Sequence, residues 1–345
     1  MAERTRRRRT GRPEIDRSIE ELLDAAGAQA NRDQLFEILA TTIRMASNGA
    51  DRLDLKITNA AVKEMAEAFA VFAPYRSVPK LTMFGSARTR ADDPLYAQAR
   101  ELAANLARAG WMLVTGAGPG IMAAGLEGAG PDKAFGINIR LPFEDAPNAF
   151  ISGDPKLVEM KYFFTRKLML LKESDGYAVL PGGFGTLDES FELLTLLQTG
   201  KAEPSPLVFV DVPEGSYWRA WERFVTQELG ARGLVSPDDT ALYRITDDVA
   251  CAAQEVLGFY RTYHSLRVVG DLSVIRLRTA PSDDKLALLN REFADICAHG
   301  DIHRTDPLPQ ERAGRDNVDL PRIALHFDRI HYGRLRQLID ALNRD

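Results

Sequence analysis

The chain has 345 residues, 45% hydrophobic and 27% charged, which suits a soluble globular protein with one main domain of about 200 residues and appended parts. A formal net charge of -5 excludes a protein that coats nucleic acid through an excess of Lys and Arg, and no apolar run approaches the ~20 residues of a bilayer span. Cys251 and Cys297 stand far apart without metal-type or redox spacing, which indicates a reducing, cytoplasmic compartment.

Residues 1–13 carry Arg4 and Arg6 to Arg9 with no apolar region behind them, so they are expected to form a disordered, solvated basic tail. Residues 14–78 read as a helical extension of about three helices. Ile15, Ile19, Leu22 and Leu23, then Leu35, Ile38, Leu39 and Thr42, then Val62, Met65, Phe69 and Phe72 recur at helical spacing, punctuated by Asn48-Gly49 and Pro74. Such helices would cover a face of the next domain or a subunit interface.

Residues 79–262 alternate short apolar runs with helical patterns. The spacing predicts strands at Lys80 to Phe84, Trp111 to Thr115, Ala134 to Ile139, Tyr177 to Leu180, Leu207 to Asp211 and, more weakly, Leu242 to Ile245. Helices are predicted at 94 to 109, 119 to 129, 155 to 173, 186 to 199, 216 to 230 and 247 to 262. The fold class is therefore α/β, a doubly wound, mostly parallel, Rossmann-like sheet with its ligands beyond the strand carboxyl ends. Residues 263–345 read as a small α+β module. Strands are expected within Arg267 to Leu277 and Arg322 to His326, helices at Asp284 to Ala298 and Gly333 to Leu342, and a long loop from His299 to Asp319.

Three of the predicted strands end in glycine-bearing turns: Gly85-Ser86-Ala87-Arg88, Gly116 to Gly120 with Gly118 between them, and Gly182, Gly183 and Gly185. In a parallel sheet all three line one edge, where helix amides suit an anion and Arg88 is available as a counter-charge. Ile121 stands where a dinucleotide fingerprint needs glycine, and the next strand ends at Asn138 and Arg140 rather than at an acidic residue. No triphosphate-binding motif occurs either, so a monophosphate ester is the expected ligand. All five histidines, at 264, 299, 303, 326 and 331, lie beyond this domain, which argues against a serine-histidine site or a histidine-built metal site in the crevice. His326 and His331 read as packing or surface residues of the last module. Lys167 is the candidate Schiff-base lysine, but no cofactor cradle accompanies it; neither metal nor organic cofactor is expected. Glu189 brings a carboxylate to the third turn, although Thr186-x-x-Glu189 also fits a capping box.

Residues 181 to 189, Pro-Gly-Gly-Phe-Gly-Thr-Leu-Asp-Glu, resemble position for position the PGGxGTxxE signature of the Lonely Guy (LOG) family, phosphoribohydrolases formerly labelled lysine decarboxylases. Thr165-Arg166-Lys167 occupies the place of the family's E-R-K triplet, followed by Ser174-Asp175 and the next strand. The resemblance covers about residues 80 to 260. It implies Arg166 and Glu189 as the catalytic pair. Gly116, Gly118, Gly120, Gly182, Gly183, Gly185 and Thr186 would bind phosphate and ribose, with Gly85, Ser86, Arg88 and Lys167 completing the substrate-binding set. The implied reaction is hydrolysis of a nucleoside 5'-monophosphate, of AMP or cytokinin riboside type, to free base and ribose 5-phosphate by a homo-oligomer. The alternative is a non-catalytic carrier of a nucleotide or phosphorylated cofactor on the same fold. Ala123 replaces a Glu found in many relatives, and Phe163-Phe164-Thr165 replaces Met-His-Glu; both departures bear on base preference.

Overall fold

The computed structural model describes residues 9–140 and 146–344; residues 1–8, which hold most of the predicted basic tail, lie outside the described residues. The chain divides into two compact units, Met1–Lys63 and Glu64–Asp345. In the first, helices α1 (Pro13–Ala25) and α2 (Arg32–Ser47) pair through Ile19, Leu23, Phe36 and Ala40, one helical face from each. Helix α3 (Arg52–Phe72) begins in this unit, and its last turns belong to the second.

The second unit is built on seven strands, β1 (Lys80–Phe84), β2 (Met112–Thr115), β3 (Ala134–Ile139), β4 (Leu157–Met160), β5 (Gly176–Val179), β6 (Leu207–Val210) and β7 (Arg244–Thr246). All pairings are parallel and the spatial order is β4-β3-β2-β1-β5-β6-β7. Helices α4 (Pro94–Arg108), α5 (Ile121–Ala129), α6 (Phe163–Lys172), α7 (Phe184–Gln198), α8 (Tyr217–Phe224) and α9 (Val249–Phe259) fill the connections. Leu81, Val114, Ala178, Val179, Val208 and Phe209 are fully buried, as strands covered on both faces must be. The chain winds outward from β1 to β4, then crosses over to β5, so the direction of winding reverses between β1 and β5. Ligand crevices form at such a reversal, beyond the strand carboxyl ends.

The helix expected over 155 to 173 is two elements. Leu157–Met160 pairs as edge strand β4 with Gly136 to Ile139, and only Phe163–Lys172 is helical. Phe164 and Leu168 of this helix are exposed.

The carboxyl-terminal module has strands β8 (Tyr263–Val269), β9 (Leu272–Leu277), β10 (Cys297–Arg304) and β11 (Arg322–Phe327) in the antiparallel order β10-β11-β9-β8. Helices α10 (Asp283–Glu292) and α12 (Tyr332–Asn343) cover one face, packing Leu289, Leu335, Leu338 and Ile339 on Ile275, Leu277, Ile323 and Leu325. The stretch expected as a loop from His299 to Asp319 instead carries most of β10 and the short helix α11 (Pro309–Gly314). No helix among the described residues is long and apolar enough to cross a membrane.

Candidate functional site

The turns after β1, β2 and β5 meet at the carboxyl edge of the sheet, and one residue joins all three. Ser86 donates its backbone N–H to the Pro181 carbonyl at 3.2 Å, and its own carbonyl accepts from the Ile121 N–H at 3.0 Å. Gly120 lies at φ +67°, and a β-carbon there would strike the Ser86 carbonyl. Likewise a β-carbon at Gly85 would run into Ile121, one at Gly118 into Met122, and one at Gly182 into Thr186. Gly85 and Gly120 thus let the first two turns approach one another, while Gly118 and Gly182 let each turn fold against the start of its own helix. Gly183 and Gly185 differ: a β-carbon on either would meet open space. Arg88 is exposed at the rim, its backbone N–H turned onto the Ser86 hydroxyl at 3.0 Å.

Two helices start at this edge without side-chain caps. Helix α5 is preceded by Gly120 and helix α7 by Gly183, and neither N-terminus receives a side-chain hydrogen bond. Their first-turn amides therefore point a positive potential at the crevice, the arrangement that holds phosphate or carboxylate. Helix α7 begins at Phe184, two residues before the expected start. Thr186 therefore sits inside the first turn, buried against Gly182, and the Thr186–Glu189 capping box does not form.

Arg166 and Glu189 come together from α6 and α7. The Arg166 Nε donates to the Ile137 carbonyl at 2.9 Å and one terminal nitrogen to the Gly116 carbonyl at 3.3 Å, so the guanidinium is tied across the ends of β3 and β2. A β-carbon at Gly116 would displace it. The other terminal nitrogen stands 4.0 Å from the Glu189 carboxylate, whose side chain is 16% exposed. Burial beside Phe84, Leu170 and Leu171 pushes the Glu189 carboxyl up to about 7; Arg166 and then Lys167 oppose the rise without cancelling it. Such a group exchanges a proton near neutrality. Lys167 turns the other way, pairing with Asp188 at 2.7 Å and Glu192 at 2.9 Å. Those three residues line a cavity of about 1590 Å³, which lies between α6, α7 and the carboxyl-terminal module and includes none of the glycine turns.

Three positioning residues carry no pattern in the sequence. Glu64, near the end of α3, accepts from the Thr165 hydroxyl at 2.6 Å and the Lys161 amide at 3.0 Å, which seats the start of α6 and with it Arg166. The Asn148 amide donates to the carbonyls of Ala117 at 2.9 Å and Gly118 at 2.8 Å, pinning the second turn, where Ala117 holds a left-handed φ of 61°. The Tyr217 hydroxyl donates to the Gly182 carbonyl at 2.6 Å. Each is a lone polar side chain reaching a backbone group far along the chain, and no local spacing announces it.

A family model described as "Possible lysine decarboxylase" matches residues 120–256. The cytokinin riboside 5'-monophosphate phosphoribohydrolase of Mycobacterium tuberculosis is 32% identical over 177 residues, 47% of this chain and 90% of that relative. The chain belongs to the LOG family. A probable cytokinin riboside 5'-monophosphate phosphoribohydrolase of Oryza sativa subsp. japonica is 31% identical over 109 residues, and the chain spans 48% of its length. Among solved structures, the molybdenum cofactor carrier protein of Chlamydomonas reinhardtii shares 22% identity and a TM-score of 0.37 over 52% of this chain and 96% of its own, a likeness that carries no functional argument. The segment that matches the LOG-family model contains Arg166, Glu189 and the third glycine turn, whereas the first turn, with Ser86, lies before it.

Proposed function

We propose that this chain is a phosphoribohydrolase that cleaves the N-glycosidic bond of a nucleoside 5'-monophosphate, of AMP or cytokinin riboside type, to free base and ribose 5-phosphate. The observation that carries the reading is a half-buried carboxyl, raised to about 7 and 4.0 Å from a fixed guanidinium, in the helix whose uncapped start faces the crevice. The phosphate sits on the amides that open α5 and α7, with Arg88 as counter-charge, and Gly183 and Gly185, where a β-carbon would meet open space, leave room for the ribose. As the bond from the anomeric carbon to the base breaks, positive charge grows on the ribose ring. The Glu189 carboxylate stabilises that charge and takes a proton from the attacking water, whose oxygen bonds to the anomeric carbon; the departing base keeps the bonding pair and gains a proton. Oxocarbenium chemistry in sugar hydrolases follows the same logic, usually with two carboxylates. Arg166, as the second catalytic residue, keeps part of the Glu189 population ionised and presents a fixed donor to the substrate. Metal and organic cofactor have no part in this scheme.

The exposed Phe163, Phe164 and Leu168 on α6 support a homo-oligomer as the working form. Incubating the purified chain with AMP and N6-substituted AMP analogues should release base and ribose 5-phosphate, read by liquid chromatography, and the same sample should sediment above monomer mass. Nucleotide retained but recovered intact would overturn the hydrolase and favour a carrier.

A further inference from the structure

The last module carries a cluster that the crevice does not use. Its sheet has two faces, one buried under α10 and α12 through Ile323, Leu325 and Phe327. The alternate residues of β11 point to the opposite face. There Arg322 meets Glu311 of α11, and Ala324 packs with Val269 and Val274. His326 continues this row, paired across the strands with His299 of edge strand β10, and the two rings stack at 3.9 Å between centroids. Asp271, in the turn between β8 and β9, completes the group. One ligand atom from each of Asp271, His299 and His326 lies within 4.8 Å of the others.

We infer that Asp271, His299 and His326 form a binding site for a divalent transition metal of zinc type, with a position left open for water. Three observations carry this. The His326 Nδ1 is buried and has no hydrogen-bond partner, yet faces the Asp271 carboxylate at 3.4 Å. That separation is long for a charge-assisted hydrogen bond, but two ligands each ~2.1 Å from a tetrahedral zinc stand about 3.4 Å apart. Second, the β10–β11 register shifts on both sides of His299, and Gly300 takes a left-handed φ of 70°. Bulges of this kind re-aim a side chain. Here they set His299 opposite His326, with a ring nitrogen of each within 4.8 Å of the other and of the Asp271 carboxylate. Third, Arg329 donates to the Gly270 carbonyl at 3.0 Å, which fixes the turn that presents Asp271. Two imidazoles and one carboxylate select a borderline ion such as zinc over magnesium or calcium, which prefer all-oxygen sets.

The test is titration of the full chain, stripped with a chelator, with Zn²⁺ in competition with a chromophoric chelator, with Mg²⁺ in parallel. One Zn²⁺ per chain is expected, with no uptake of Mg²⁺ at the same concentration. His299→Ala lies on an exposed edge and should leave the thermal unfolding of the metal-free chain unchanged while weakening Zn²⁺ by about 100-fold or more, and His326→Ala should do the same. The site is overturned if the stripped chain takes up no stoichiometric Zn²⁺, or if an ion binds as tightly to His299→Ala as to the unaltered chain.

Discussion

The crevice and the carboxyl-terminal module each bury a glutamate beside arginine, and they treat it in opposite ways. Glu311 is fully buried, yet its carboxylate receives the Leu308 amide at 3.0 Å, Arg276 at 2.8 Å and Arg322 at 2.9 Å. Burial alone would raise its pKa; those partners together outweigh burial and hold it below the ordinary value. Among the described residues Glu189 has one guanidinium beside it, at 4.0 Å, and stays raised to about 7. The same two functional groups thus make a structural brace where two guanidiniums and a backbone amide surround the carboxylate, and a proton-exchanging group where a guanidinium stands off at 4.0 Å.

Removing each carboxylate in turn breaks the comparison most directly. Glu189→Gln should cut base release by about 1000-fold while the protein remains folded. Glu311→Gln should leave kcat unchanged but cost about 3–5 kcal/mol in urea unfolding, because Arg276 and Arg322 lose their buried partner. Equal losses of stability from both substitutions would erase the distinction. A smaller effect separates the two sites by pH. Glu189 binds a proton more tightly in the folded state than in the unfolded one, so between about 4.5 and about 7 its contribution to stability falls as pH rises. Relative to the unaltered chain, Glu189→Gln should therefore gain on the order of 2 kcal/mol at pH 8 and nothing near pH 4, measured by denaturation at both. Smallest, and most specific to the pairing, is a shift in profile. With Glu189 acting as a base, kcat/KM should rise through about pH 7, and Arg166→Ala should move that rise to higher pH because it removes the first of the charges that favour the ionised form. A rise left in place by Arg166→Ala would show that the guanidinium does not govern the carboxyl.

Most of the sheet was legible because its strands are continuous apolar runs separated by helical patterns. Lys80–Phe84 and Ala134–Ile139 fall where the spacing places them. Strand β4 was not, because Leu157, Val158 and Met160 continue smoothly into the apolar positions of α6 and only pairing with β3 makes them extended. Strand β10 hid for the opposite reason: as an edge with polar side chains on both faces it shows no alternation. At the crevice, the glycine turns and the pair Arg166 and Glu189 could be named from motif and position. The start of α7 could not, since the Thr186–Glu189 spacing imitates a cap that the open helix end lacks. The clamps from Glu64, Asn148 and Tyr217 join positions dozens of residues apart, a relation that only folding creates.

Ser86 sets how the crevice can move. Because its amide and its carbonyl hold the turns on either side, neither neighbour can loosen without straining the other, and the three loops are bound to shift as one piece. The conformational entropy of ordering them is lost during folding rather than on binding, so the phosphate ester proposed as substrate would meet a cradle already set.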